Sequence, residues 1–103
     1  MSTLHTVNKS PFERTSLDTC LSLAGNGSTV LLIEDGVAGA LQNTTATQGI
    51  SDAMDKGVKF AVLGEDLNAR GLSAERVMDG ISVVDYAGFV QLAADHDNVQ
   101  NWL

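Results

Sequence analysis

Val30-Leu31-Leu32-Ile33 is an unbroken apolar run, closed on its C-terminal side by Glu34-Asp35-Gly36. A strand with one face in water alternates apolar and polar residues. An unbroken run suits a strand buried on both faces, as in a parallel sheet covered by helices. Val58-Lys59-Phe60-Ala61-Val62-Leu63 repeats the pattern with one polar interruption. These two runs predict the central strands.

Upstream, Leu4–Val7 reads as a short first strand, followed by a polar loop that holds the only proline, Pro11. A helix is expected over Ser16–Ala24, capped by Thr15 or Ser16, because a hydroxyl can accept from free N–H groups of a first helical turn. Gly25 and Gly27 suit the left-handed turn that ends a helix. Between the central runs, Val37–Gln42 reads as a short helix, 43–49 as a polar loop, and Ile50–Lys56 as a helix stopped by Gly57. Downstream, Glu65–Leu72 reads as a connector. Ser73 caps a short helix running to Met78, and Asp79-Gly80 turns the chain into a strand at Ile81–Val84. Asp85 caps a last helix over Tyr86–Asp95, with Phe89, Leu92 and Ala93 facing inward. The closing Asn-Val-Gln-Asn-Trp-Leu reads as a tail.

Strand–helix alternation predicts an α/β fold: a small parallel sheet of about four strands with helices on both faces. At 103 residues, the chain is expected to form a single domain over 1–103. Four strands leave open sheet edges, which points to a partner chain. The formal net charge is −7, from 13 acidic and 6 basic residues. The basic residues are scattered, so contact with a nucleic-acid backbone or an anionic membrane is not expected. No stretch is long and apolar enough to span a bilayer, and the first ten residues lack the apolar core of a signal peptide. A single cysteine cannot form an internal disulfide, which fits a reducing cytoplasm.

That cysteine, Cys20, is the candidate catalytic residue, and two readings of it stand open. Leu17, Cys20, Leu21 and Ala24 follow the spacing of a core-facing helical stripe, which makes Cys20 a small apolar side chain. As a nucleophile it would need ionisation. Asp18 and Glu13 oppose that, whereas Lys9 and Arg14 would favour it if the loop folds back. His5 could serve as a base only if it met Cys20 in space. Two histidines and one cysteine, far apart in sequence, do not supply a zinc set. There is no dinucleotide or P-loop signature, so no cofactor is expected. The GxxG spacing of Gly36 and Gly39 is better explained by close helix–sheet packing. Glu34 and Asp35 follow a strand where ligand sites of α/β sheets form, although turn and helix-start roles suit them. His96 suits a helix C-terminus. Trp102 is either a partner anchor or a residue folded back on the core.

Four segments occur in an order that resembles the DsrH/TusB family. They are LHTVNKSPFER (4–14), VLLIEDGV (30–37), LGEDLNARGL (63–72) and VVDYAGFVQL (83–92) with a following tryptophan. The resemblance implies a DsrE-like, flavodoxin-like arrangement. It also implies a subunit of a cytoplasmic heterohexamer, two copies each of three related chains. In the DsrEFH complex the partners are DsrE-like and DsrF-like subunits, and the counterpart assembly is TusBCD. Such complexes pass persulfide sulfur to a DsrC/TusE-type carrier. The DsrEFH branch serves sulfur oxidation, and the TusBCD branch serves 2-thiouridine formation in tRNA. The principal sulfur-accepting cysteine belongs to the DsrE/TusD subunit. DsrH chains resemble this one in carrying a cysteine at the place of Cys20, which many TusB chains lack, so the resemblance points toward DsrH. Cys20 is then either a persulfide carrier or part of a purely structural subunit.

Overall fold

The computed structural model describes residues 2–103; Met1 lies outside the described residues. Five strands form one parallel sheet: β1 Thr3–Val7, β2 Thr29–Leu32, β3 Lys59–Leu63, β4 Ile81–Val84 and β5 Asn98–Trp102, in the order β4-β3-β2-β1-β5. The two apolar runs of the sequence are the interior strands β2 and β3. Every residue of β2 is buried, as is every residue of β3 except Lys59.

The helices are α1 Ser16–Leu23, α2 Thr47–Asp55, α3 Gly64–Ala69 and α4 Tyr86–Asp95. From β1 to β4 the chain steps across the sheet in one direction. Right-handed crossovers therefore lay α1, α2 and α3 on one face. There Leu17, Cys20, Ile50 and Leu67 join Val7, Val30, Leu32, Phe60 and Val62 in the main apolar cluster. The last crossover runs back across the whole sheet to β5, beyond β1, so α4 lies on the opposite face. Its Phe89, Leu92 and Ala93 pack on a smaller cluster of Leu4, Leu31 and Ala61.

Several elements differ from the sequence expectation. The helix expected from Ser73 to Met78 is only a three-residue 3₁₀ turn at Ala74–Arg76, and α2 begins at Thr47, inside the expected loop 43–49. The expected tail is a fifth strand, in parallel register with β1 from Thr3↔Asn98 to Val7↔Trp102. None of its residues is fully buried, so no apolar pattern marked it. The expected helix at Val37–Gln42 is a 3₁₀ segment spanning Glu34–Ala40, and the expected connector at 65–72 contains α3. The caps at Ser73 and Asp85 form as expected: Ser73 accepts from the Glu75 N–H, and Asp85 Oδ1 from the Gly88 N–H at 2.8 Å. Thr15 occupies the N-cap position of α1, but its side chain makes no capping bond. Ser16 Oγ instead donates to the Leu103 carbonyl at 2.9 Å, tying α1 to the end of β5. At Gly36 a Cβ would collide with the Val7 carbonyl, so only glycine lets the 3₁₀ segment press against the end of β1.

Candidate functional site

Cys20 lies midway along α1, on the face turned to the sheet. Its exposure is 0%, and it belongs to the main apolar cluster. Burial pushes the thiol up to about 12, since a thiolate there would lose its water. Burial is the cause of that rise, and no cation offsets it. Arg14 points elsewhere, its Nη1 donating to the Glu13 carbonyl at 3.4 Å. In this conformation the thiol is neither reachable nor ionised near neutral pH.

His5 is also buried, but it engages the C-terminal strand. The Trp102 indole N–H donates to His5 Nδ1 at 3.1 Å, with the rings tilted by 35°. Burial lowers the His5 pKa below its ordinary value. Trp102 thus folds back on the core, the second of the two roles expected for it. His96 ends α4: Nδ1 bonds the Leu92 carbonyl at 2.7 Å, and Nε2 pairs with Thr29 Oγ1 at 2.9 Å. The carbonyl can only accept, so the Nδ1 proton is fixed on that side.

Glu34 and Asp35 lie at the carboxyl end of β2 and are bound into the structure. Asp35 Oδ1 takes the Arg70 guanidinium, with Nε and Nη2 both at 3.0 Å. The Glu34 backbone sits at φ +49°, and its N–H donates to Asp66 Oδ2 at 2.6 Å. Left-handed backbone at a non-glycine residue costs energy, and the Asp66 bond helps to hold it there. The expected turn and helix-start roles account for both acidic residues.

A different feature occupies the place where α/β sheets bind ligands. The connections leaving β3 and β4 diverge, α3 to one face and α4 to the other, which makes a topological switch point. A groove of about 630 Å³ opens there, lined by Gly64, Glu65, Asn68, Val83, Val84, Asp85 and Gly88. Glu65 Oε2 accepts from the Tyr86 N–H at 3.1 Å, which joins the starts of α3 and α4. Glu65 falls within the expected connector 65–72, which in the structure contains α3. The only signal was a carboxylate just after an apolar run. The groove and Cys20 are separate: none of its lining residues belongs to α1. Among the described residues, no group of three or more His, Cys, Asp or Glu side chains is placed to hold a metal ion. No helix of the structure is long and apolar enough to cross a membrane.

A family model described as DsrH like protein matches residues 9–99. The chain belongs to the DsrH/TusB family. Membership makes it a sulfur-relay protein and agrees with the resemblance of its four motifs. Among its relatives, Protein TusB from Erwinia tasmaniensis is 38% identical over 99 residues, covering 96% of this chain and 99% of the relative. Protein TusB from Escherichia coli O1:K1 is 34% identical with the same coverage. Two solved structures share the fold. The ychN protein from E. coli superposes with a TM-score of 0.83 at 19% identity, over 99% of this chain and all of the other. The protein of unknown function MTH1491 from Methanobacterium thermoautotrophicum gives 0.74 at 16% identity, over 96% and 97%. The α/β reading therefore holds for the DsrH/TusB chain, with one strand more than expected. Both of these curated relatives carry the name TusB, whereas the cysteine at position 20 points toward DsrH.

Proposed function

We propose that this chain is a TusB-type subunit of a cytoplasmic sulfur-relay complex serving 2-thiouridine formation in tRNA. Its role there is structural, completing the assembly and shaping a surface for the other chains. The branch is supported by end-to-end similarity to TusB relatives, at 34–38% identity over 96% of the chain. The structural role rests on one observation, the complete burial of Cys20 in apolar surroundings. Persulfide transfer needs a thiolate that the incoming sulfur can reach, and this thiol offers neither property. The sulfur-accepting cysteine would then belong to a DsrE/TusD-like partner, and a TusE/DsrC-type carrier would receive the sulfur. The 13 acidic and 6 basic residues suit a subunit that does not touch tRNA itself.

The experiment is mass spectrometry of the assembled complex after exposure to a persulfide donor. The expected result is sulfur gained on the DsrE/TusD-like partner and none on this chain. A gain of one sulfur atom here, abolished by Cys20→Ser with the complex intact, would overturn the structural role and restore the carrier reading.

A further inference from the structure

Trp102, packed against the main apolar cluster, is the one apolar anchor of the C-terminal strand. Asn98, Val99, Gln100 and Asn101 are all exposed, and only Trp102 is half-buried. Besides its parallel ladder with β1, β5 is held by side-chain bonds. Thr6 Oγ1 donates to Asn101 Oδ1 at 2.6 Å, Ser16 Oγ donates to the Leu103 carbonyl at 2.9 Å, and Trp102 Nε1 donates to His5 Nδ1 at 3.1 Å.

The last of these bonds exists in one protonation state only. An indole nitrogen donates and never accepts, so His5 Nδ1 must be the acceptor and the single imidazole proton must sit on Nε2. An imidazolium carries protons on both nitrogens, and its Nδ1–H would face the indole N–H. The surroundings give such a cation no support. The register neighbours of His5 are Val30 on β2 and Gln100 on β5. The residues buried from α1 are Leu17 and Cys20, and the Cys20 thiol, raised to about 12, is uncharged at neutral and acid pH. No carboxylate or cationic side chain stands among these groups.

We propose that His5 and Trp102 form a proton-operated latch. Neutral His5 holds β5 on the sheet; protonated His5 releases it and bares the edge of β1. The lowering of the His5 pKa by burial agrees, because the closed latch favours the neutral ring. The sign follows from linkage. A histidine in the opened strand titrates near 6.5 and the latched one lower, so the latch is fully closed above about 6.5 and loosens as pH falls below it.

Trp102 is the only tryptophan, so its signals report on the latch directly. Amide-exchange protection factors of Gln100 and Trp102 should fall with pH, by up to about tenfold per pH unit between 6.5 and the latched His5 pKa. Over the same range the indole Nε1–H resonance should shift, while the protection of β2 and β3 stays unchanged. In His5→Gln, whose side-chain oxygen can accept from the indole without titrating, this transition should vanish. His96→Gln should retain it. A wild-type transition that persists in His5→Gln, or protection of β5 that does not change between pH 7 and 5, would overturn the proposal. Should His5→Gln not fold, imidazole ¹⁵N shifts of the wild-type chain decide instead. A neutral His5 protonated on Nε2 supports the latch, and one protonated on Nδ1 refutes it.

Discussion

Replacing Cys20 by serine exchanges a weakly polar sulfur for a hydroxyl inside a cluster that includes Val7, Leu17, Val30 and Ile50. A buried hydroxyl without a full set of partners costs about 1–3 kcal/mol. We expect a loss of that size in denaturant unfolding of Cys20→Ser, and a native thiol that reacts with a disulfide reagent only as the fold opens. Rapid labelling at pH 8 in the folded chain would contradict the burial on which the structural role rests. The pH dependence is equally specific. An exposed thiol loses its proton from about 8.5, whereas the folded one holds it to about 12. Between those values the folded state binds the proton more tightly, so this group's contribution to stability falls as pH rises through the window. Alkaline unfolding of Cys20→Ala should lack that component. The helical stripe of Leu17, Cys20, Leu21 and Ala24 was sufficient to foresee a core-facing thiol. Whether a cation from Lys9 or Arg14 would reach it was not legible, because that depends on how a loop folds over a helix.

At the scale of elements, the interior strands carry the packing. Leu32 in β2 has no exposed surface, and Leu32→Ala should destabilise the fold by about 2–5 kcal/mol through lost transfer energy and a residual cavity. A loss well under 1 kcal/mol in a two-state denaturant experiment would mean that β2 is not the central strand described. Unbroken apolar runs are the clearest signature of such strands, which is why β2 and β3 could be read directly. β5 could not be, since its residues are mostly polar and its attachment comes from backbone pairing with a strand at the other end of the sequence. The groove beside Glu65 was hidden for a related reason: Gly64 and Asp85 lie far apart in the chain and meet only because β3 and β4 are neighbours. Local sequence reports local burial, and neither an edge strand nor a groove between two connections leaves a local mark.

The whole molecule leaves one sheet face thinly covered. α4 has no fully buried residue, and Tyr86 and Val90 on it are 56% and 68% exposed. An apolar helix so open to solvent is consistent with life in an assembly. Co-expression with its DsrE/TusD-like and DsrF/TusC-like partners should therefore yield a particle with two copies of each chain. Native mass spectrometry that finds only free monomer, with all three chains folded, would count against this. The family model and the TusB relatives reach across nearly the entire domain, so the family was readable from four motifs. The branch is not legible in those motifs, since they are common to DsrH and TusB chains and a single cysteine is a slender mark.

Thr6 and Asn101 are 95 positions apart in the chain and 2.6 Å apart in the sheet. A chain made from its N-terminus thus completes β1 to β4 before the last strand exists, and β1 keeps an open edge through most of synthesis. Contacts between such distant positions are slow to form, because a long loop must close before they contribute. We therefore expect β5 to dock last, after the transition state. Trp102→Phe should speed unfolding while leaving the folding rate nearly unchanged, a signature that stopped-flow kinetics in denaturant would reveal. A matching fall in the folding rate would instead place the two ends of the chain together at the start.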